Sequence, residues 1–322
     1  MNAAYIPTLA LRVQAIDLVA NDTRMFTLQA EEGHVLPAFT AGSHIELQLA
    51  PGLTRSYSLL NSPEDTQKYQ IAVHLSPTSK GGSSHLHSNI QVGQTINCSG
   101  PRNLFKLDES AAHTCLIGGG IGITPLMSMA KRLTLLKKSW ELHYCARTPD
   151  HAGWMQELTK LGQASGNKVS FHFDQIPDGG PLNIPKLVQQ SQNSTHFYCC
   201  GPSGMLKAFE EATVQCPERR HVEYFTAKAE ASLEGGFELE LARSGKCLRV
   251  PAGRSILDIV TEAGLDIPTS CREGICGSCE TRIISGEADH RDAVLTPQEQ
   301  AENKSMMICC SGARSARLVL DL

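Results

Sequence analysis

Three cysteines within nine residues constrain this chain more than any other feature. Cys271, Cys276 and Cys279 stand in a C-x4-C-x2-C spacing within Cys-Arg-Glu-Gly-Ile-Cys-Gly-Ser-Cys. Thiols crowded in this way have the spacing of metal ligands rather than of disulfide staples. Gly274 and Gly277 let such a loop wrap closely and aim backbone N–H groups at the sulfurs. A fourth thiolate must come from farther along the chain, where Cys309 and Cys310 are adjacent. Neighbouring side chains on a strand point to opposite faces, so only one of that pair ligates. A zinc site is the competing reading, but structural zinc usually uses two short hooks, and one hook with one remote cysteine fits poorly.

The remaining composition narrows the class. The chain has 322 residues, room for two or three domains, with 41% hydrophobic residues, 19% charged residues and a net charge of -4. Mild acidity argues against nucleic acid, which calls for a basic face. No apolar run is long enough to span a bilayer. Arg12, Asp17, Asp22 and Arg24 interrupt the first apolar residues, so the start does not read as a secretory signal. Of the twelve cysteines, Cys98, Cys115, Cys145 and Cys247 sit in or beside apolar runs and read as small buried hydrophobes. A long chain with this distribution is expected to be cytoplasmic, with reduced thiols.

Three patterns succeed one another. Up to about residue 108, alternating runs such as His44-Ile45-Glu46-Leu47-Gln48-Leu49 and Tyr69-Gln70-Ile71-Ala72-Val73-His74-Leu75 predict an antiparallel β-barrel or sandwich. Pro51-Gly52, Gly81-Gly82 and Ser99-Gly100-Pro101 serve as its turns. From 109 to 228 strands alternate with helices: strand His113 to Ile117, helix Pro125 to Lys137, strand Glu141 to Cys145, and so on to helix Ser203 to Thr213. This predicts a doubly wound α/β domain with a parallel sheet. Residues 229–236 are small and polar and read as a linker. From 237 to 322 a hairpin (Phe237 to Leu241, Lys246 to Val250) and a helix (Ser255 to Ala263) lead into the cysteine loop.

Further motifs sharpen the reading. Gly118-Gly119-Gly120-Ile121-Gly122-Ile123-Thr124-Pro125 joins a strand to a helix, so its backbone can approach a pyrophosphate at a helix N-terminus. Thr124 suits the N-cap and Pro125 the first turn. Cys199-Cys200-Gly201-Pro202-Ser203-Gly204-Met205 also follows a strand and opens a helix. Arg55-Ser56-Tyr57-Ser58 places Arg55 and Tyr57 on one strand face, and Lys80-Gly81-Gly82-Ser83-Ser84 precedes a short helical stretch that could hold phosphate. After the second α/β strand Arg147 stands near Asp150, and Asp174 ends the next strand. Asp174 could accept from an adenosine ribose or be an ordinary solvated turn residue, and without a basic cluster the balance leans to NADH over NADPH.

These strings carry a resemblance. The cysteine loop is similar to plant-type ferredoxins, whose spacing favours Cys309 as fourth ligand of a 2Fe-2S cluster and leaves Cys310 as a packed neighbour. That fold implies an α+β (β-grasp) domain. G-G-G-I-G-I-T-P, the C-G-P-x-x-M element and R-x-Y-S resemble ferredoxin-NADP reductase-like proteins. There Gly118, Gly119, Gly120, Gly122, Thr124, Pro125, Cys200, Gly201 and Pro202 would hold the nicotinamide nucleotide. Arg55, Ser56, Tyr57, Ser58, Lys80, Gly81, Gly82 and Ser83 would hold a flavin. Val222-Glu223-Tyr224-Phe225 resembles the end of the nicotinamide domain, which implies that Phe225 and Glu223 return to the ring. Ser58, Thr124, Cys200 and Glu223 are the implied catalytic residues.

The domain order, flavin then nicotinamide then C-terminal ferredoxin, resembles the phthalate dioxygenase reductase-like and vanillate demethylase reductase-like proteins over almost the whole chain. That resemblance implies FMN, NADH and a 2Fe-2S cluster. It also implies a monomer that passes single electrons by transient contact to a terminal Rieske-type non-haem iron oxygenase. Arg272, Glu273, Glu287, Asp289 and Asp292 are the expected docking rim. A stand-alone NADH:acceptor oxidoreductase for quinones or ferric chelates is one alternative. A cluster-bearing redox sensor is the other, and it would need neither the glycine turn nor the flavin strand.

Overall fold

Alternating apolar residues build the first sheet. In the computed structural model, which describes residues 8–30, 34–77 and 79–322, the strands are β1 (Thr8–Ala20), β2 (Thr23–Ala30), β3 (His44–Ala50), β4 (Leu53–Ser58), β5 (Lys68–His74) and β6 (Thr95–Arg102). Every pairing is antiparallel, in the order β4-β3-β6-β1-β2-β5. Leu11, Val13, Phe26, Leu28, Ile45, Leu47, Tyr69 and Ile71 line one wholly buried core, the inward half of a period of two. Just past β4, Leu60 N–H donates to Gln70 O at 3.0 Å, curling the sheet towards a barrel. Helix α1 (Gly82–Asn89) lies between β5 and β6. Ser99-Gly100-Pro101, expected as a turn, instead lies inside β6, where the pairing with β3 shifts register. A proline that cannot donate is tolerated at such a bulge.

The second sheet is wholly parallel. Strands β7 (His113–Gly119), β8 (Ser139–Ala146), β9 (Lys168–Phe173), β10 (Thr195–Cys200) and β11 (Arg220–Glu223) run in the order β11-β10-β7-β8-β9. They alternate with α2 (Ile123–Leu135), α3 (Met155–Ser165), α4 (Ile184–Gln190) and α5 (Ser203–Ala212). The order reverses at β7, so a crevice opens beyond the carboxyl ends of β7 and β10, where ligands of doubly wound sheets bind. The helix after the glycine turn begins earlier than expected. A tight turn at Gly120–Gly122 runs straight into α2, Gly122 is the N-cap, and Thr124 is already helical, its hydroxyl donating to Ile121 O at 3.0 Å.

These two sheets belong to one compact unit that ends at Glu223; the second unit runs from Tyr224 to Leu322. Helix α2 is one tie within the first unit. Lys131 Nζ donates to Leu60 O at 3.3 Å, and Arg132 meets Glu64 at 2.6 Å and Glu109 at 2.7 Å. The tip between β1 and β2 adds another, through Asn21 N–H to Asp150 O at 2.9 Å.

In the second unit β12 (Phe237–Leu241) and β13 (Lys246–Val250) form the expected hairpin. They precede α6 (Ile256–Glu262), β14 (Glu280–Ser285), β15 (Ala288–Asp289), α7 (Pro297–Glu302), β16 (Ser305–Met307), β17 (Gly312–Ala313) and β18 (Arg317–Leu320). The mixed sheet is ordered β13-β12-β18-β14-β16, with β12 and β18 parallel. Ser255 and Asp258 close a capping box at the start of α6, which buries Ile256, Leu257 and Val260 in the β-grasp core. Residues 229–236, read from the sequence as a linker, form neither helix nor strand. They nevertheless lie along this unit: Ser232 N–H donates to Cys310 O at 2.8 Å, and Gly253 N–H donates to Leu233 O at 2.8 Å. Among the described residues no helix is long and apolar enough to cross a membrane.

One buried and one half-buried histidine make the first unit acid-sensitive. Burial, reinforced by Arg102, lowers His44 to about 4. Burial, reinforced by His196, lowers His221 to about 4, although the carboxylate of Asp108 opposes this. A depressed histidine stays neutral in the folded chain while its unfolded counterpart takes up a proton, so folding stability is full above pH 6.5 and falls as pH drops towards 4. For His44 alone the loss approaches about 3 kcal/mol. Thermal melting should therefore fall between pH 6.5 and 4.5 in the wild type and less steeply in His44→Gln. Equal slopes would exclude His44 as a source.

Candidate functional site

Two motifs far apart in sequence meet at the crevice. The register places Gly118 opposite Cys200 and Cys200 opposite Glu223, so β7, β10 and β11 end side by side. A Cβ on Gly122 would lie 2.2 Å from Cys200 O, and one on Gly119 would lie 2.6 Å from Pro202 Cδ. The glycine turn and the Cys200-Gly201-Pro202 element therefore pack backbone against backbone, with Met205 Sδ filling the gap beside Gly119 and Gly201. This leaves the start of α2 facing the crevice, with Thr124 and Pro125 both buried in its first turn. Arg147 and Asp174 sit together at the ends of β8 and β9, both exposed, where Gln175 N–H donates to Arg147 O at 2.9 Å.

The last residues of β4 and β11 complete this region. Cys200 is fully buried, and burial pushes its thiol well above the ordinary range. Glu223 as a residue keeps some exposed surface, but Oε2 is shut off from solvent without a hydrogen-bond partner. Burial raises this carboxyl to about 8, against the opposing pull of the Ser58 hydroxyl beside it. The group is therefore a neutral acid at pH 7. Ser58 is itself buried, and Ser56 Oγ is a second enclosed oxygen without a partner.

On the other side of β4, Arg55 and Tyr57 share a face as predicted. Arg55 donates to Lys80 O at 2.8 Å, and a Cβ on Gly82 would lie 2.7 Å from Arg55 Cγ and 3.2 Å from the Tyr57 hydroxyl. Burial raises the Tyr57 phenol despite Arg55 beside it. Gly81 is the left-handed N-cap of α1. The Ser83 hydroxyl, expected at the phosphate, bonds Ser79 Oγ at 2.9 Å. Ser79 was missed from the sequence: its hydroxyl also accepts from Gly81 N–H at 3.2 Å and Ser84 N–H at 3.4 Å, shaping the turn into α1. Its only signal was a serine two residues before a glycine pair. The cationic fork and the helix N-terminus on this face fit a terminal phosphate such as that of a flavin.

In the second unit the cysteine loop is preformed. Cys271 Sγ accepts from Glu273 N–H at 3.3 Å and Ile275 N–H at 3.5 Å, and Cys276 Sγ accepts from Cys271 N–H at 3.5 Å. Cys271 interacts with the thiols of both Cys276 and Cys309. Cys276, Cys279 and Cys309 are buried. Backbone donors aimed at sulfur suit thiolates bound to iron, so this set fits a 2Fe-2S cluster. Cys309 and Cys310 lie in the turn after β16 rather than on a strand, so strand alternation does not separate them. Their bonding does. Cys310 S–H donates to Met307 O at 3.7 Å, and its sulfur would lie 2.4 Å from a Cβ on Gly274. It is a packed thiol against which the loop is laid.

Some expectations fall away. Asp292, expected on a docking rim, is 4% exposed, and its Oδ2 accepts from the N–H groups of Val294 (3.1 Å) and Leu295 (2.8 Å). Asp289 is mostly covered and paired with Arg291 at 2.8 Å. Cys247 is exposed rather than buried. Phe225 is the second residue of the second unit, and its implied return to the flavin stays an expectation of the resemblance.

Comparison with known proteins agrees with this geometry. Residues 10–107 match the oxidoreductase FAD-binding domain, 116–211 the oxidoreductase NAD-binding domain and 239–314 the 2Fe-2S iron-sulfur cluster binding domain. The solved structure of phthalate dioxygenase reductase superposes with a TM-score of 0.72 at 36% identity, covering 98% of each chain. The chain belongs to the phthalate dioxygenase reductase-like family. Members similar to it include the phenoxybenzoate dioxygenase subunit beta of Ectopseudomonas oleovorans, 47% identical over 99% of both chains. Tetrachlorobenzoquinone reductase of Sphingobium chlorophenolicum is 42% identical over 98% of this chain and 99% of its own. Like the family, this chain is an oxidoreductase with flavin, nicotinamide and 2Fe-2S domains in that order.

The buried acid at Glu223 gives the family site a testable signature. Glu223→Gln should keep flavin reduction by NADH near the wild-type rate at pH 7, since both side chains are neutral there. Above pH 8 the wild-type rate should change as the carboxylate forms, and the variant should not follow. Parallel pH profiles in anaerobic rapid mixing would remove Glu223 from the reaction.

Proposed function

We propose that this chain is the reductase component of a Rieske-type non-haem iron oxygenase system, taking electrons from NADH and delivering them singly to the terminal oxygenase. The observation that carries this reading is the joining of the glycine turn, Cys200 and Glu223 to the end of the flavin strand within one unit, on a chain that also carries the preformed cysteine loop. The similarity to a dioxygenase subunit along both full lengths supports the partner.

When bound, the flavin supplies conversion of a two-electron donor into single electrons, and the cluster carries them one at a time. The chain's own residues do the positioning. Gly118, Gly119, Gly120 and Gly122 let the nucleotide approach the backbone, and the first turn of α2, with Thr124 and Pro125, faces its phosphates. Cys200, Gly201 and Pro202 border the nicotinamide. Arg147 and Asp174 flank the adenosine end, where one arginine beside a carboxylate favours a ribose hydroxyl over a phosphate, hence NADH. Ser58 and the neutral carboxyl of Glu223 offer hydrogen bonds at the ring while Cys200 excludes water. Arg55, Lys80, Gly81, Gly82 and Ser83 hold a terminal phosphate. That pocket, with the ferredoxin domain at the C-terminus, supports FMN rather than FAD. Flavin released by heat and identified by chromatography tests this, and FAD would overturn it. Cys271, Cys276, Cys279 and Cys309 hold the cluster.

Functional boundaries are proposed at 1–108 for flavin, 109–228 for nicotinamide and 237–322 for the cluster. The protein is a cytoplasmic monomer that meets its oxygenase transiently. Arg272, Glu273 and Glu287 remain as the docking rim beside the loop, Arg272 paired to Asp258 and Glu287 to Arg314. Glu273→Lys should slow transfer to the oxygenase by about tenfold and leave flavin reduction intact. Unchanged coupled turnover would dismiss that rim. The relative named a quinone reductase favours a second reading, direct reduction of quinones. NADH oxidation that a quinone accelerates and the cognate oxygenase does not would select it.

A further inference from the structure

The inner strands of a parallel sheet are normally apolar on both faces, yet one face of β7 and β8 carries a polar cluster that the electron-transfer chemistry does not use. His113 and Cys115 lie two apart on β7, Glu141 and His143 lie two apart on β8, and Cys115 pairs in register with Glu141. Alternation puts all four on one face. Cys115 is fully buried and His143 is 5% exposed. Ligand atoms of Cys115, Glu141 and His143 lie within 4.8 Å of one another.

We infer that Cys115 Sγ, the Glu141 carboxylate and a ring nitrogen of His143 form a binding site for a borderline divalent metal of the zinc class. The donor set of sulfur, imidazole and carboxylate is the kind zinc takes, and modest closure brings such atoms to bonding distance. Each of the two polar ligands is already oriented from behind. His143 Nε2 lies 3.3 Å from Glu141 while its Nδ1 meets His172 Nε2 at 3.1 Å. Glu141 is approached from its other oxygen by His113 at 3.6 Å, and His113 Nδ1 is fixed by Ser139 Oγ at 2.8 Å. Outer partners of this kind orient metal ligands and fix imidazole tautomers. Binding breaks the Cys115 S–H bond, forms a metal–sulfur bond and releases the proton to solvent, with no change in oxidation state. The ion would clamp β7 to β8 just before β7 enters the glycine turn.

The test uses the full chain with its cluster loaded, dialysed against buffered zinc, with zinc and iron counted per chain and the zinc edge examined by X-ray absorption. Expected are one zinc per chain without loss of iron, and one sulfur neighbour at about 2.3 Å with nitrogen or oxygen at about 2.0–2.1 Å. Affinity should fall at least about tenfold in Cys115→Ser and in Glu141→Gln. Glu141 is partly exposed, so its variant keeps the test open if the buried cysteine change impairs folding. No zinc above background, a four-sulfur environment with iron lost, or unchanged affinity in both variants would overturn the site.

Discussion

Cys309→Ser is expected to abolish the 2Fe-2S cluster, and Cys310→Ala to leave it in place. The two cysteines are neighbours, both buried, and differ in what their sulfurs meet. Cys309 lies against Cys271, whereas Cys310 S–H donates to Met307 O and packs on Gly274. Loss of a ligand removes the cluster outright, so visible absorbance and bound iron should drop to background. NADH-driven reduction of cytochrome c should fall by about two orders of magnitude while flavin reduction persists. The alanine variant loses only packing, about 1 kcal/mol of stability, with iron content unchanged. An intact cluster in Cys309→Ser, with iron lost in Cys310→Ala, would reverse the assignment.

Gly122→Ala should be nearly as damaging, by another route. Its Cβ would lie 2.2 Å from Cys200 O and 2.8 Å from Gly201 N. Neither atom is the free end of a side chain, so the two nucleotide motifs must move apart. Overpacking of this kind costs about 1–3 kcal/mol, and a displacement near 1 Å at a reacting centre costs about a hundredfold in rate. Flavin reduction by NADH should fall accordingly, while electrons introduced by dithionite still reach the cluster. Gly166→Ala, outside the nucleotide motifs, is the control. No atom lies within 4 Å of its added Cβ, and only the left-handed backbone, φ +71°, is penalised, by about 1 kcal/mol. Equal losses in the two variants would remove the close approach as the cause.

Period and punctuation made much of this architecture legible. The hairpin Phe237–Leu241 and Lys246–Val250 matched residue for residue, because its apolar positions alternate between clear turn signals. What failed was local inference overruled by tertiary context. Gly100-Pro101 reads as a turn, yet a bulge absorbs it inside β6. Thr124 has N-cap chemistry, but the tight turn at Gly120–Gly122 starts the helix sooner. Asp292 looks like a surface charge among charged neighbours, yet it turns inward to accept two backbone N–H groups. At the site, the motifs were visible singly, but nothing local in sequence says that Glu223 is a buried neutral acid beside Ser58. That depends on the parallel register of β7, β10 and β11 and on the docking of the two sheets through α2. The role of Ser79 was hidden for the same reason, since a serine in a polar loop carries no mark of the N–H groups it gathers.

The order of the relay is tested most directly by anaerobic addition of NADH to the protein before and after removal of its flavin, following the cluster by visible absorbance and electron paramagnetic resonance. The complete protein should show a reduced cluster within the time of flavin reduction, and the flavin-free protein none until flavin is restored. Reduction of the cluster by NADH at an undiminished rate without flavin would contradict the account.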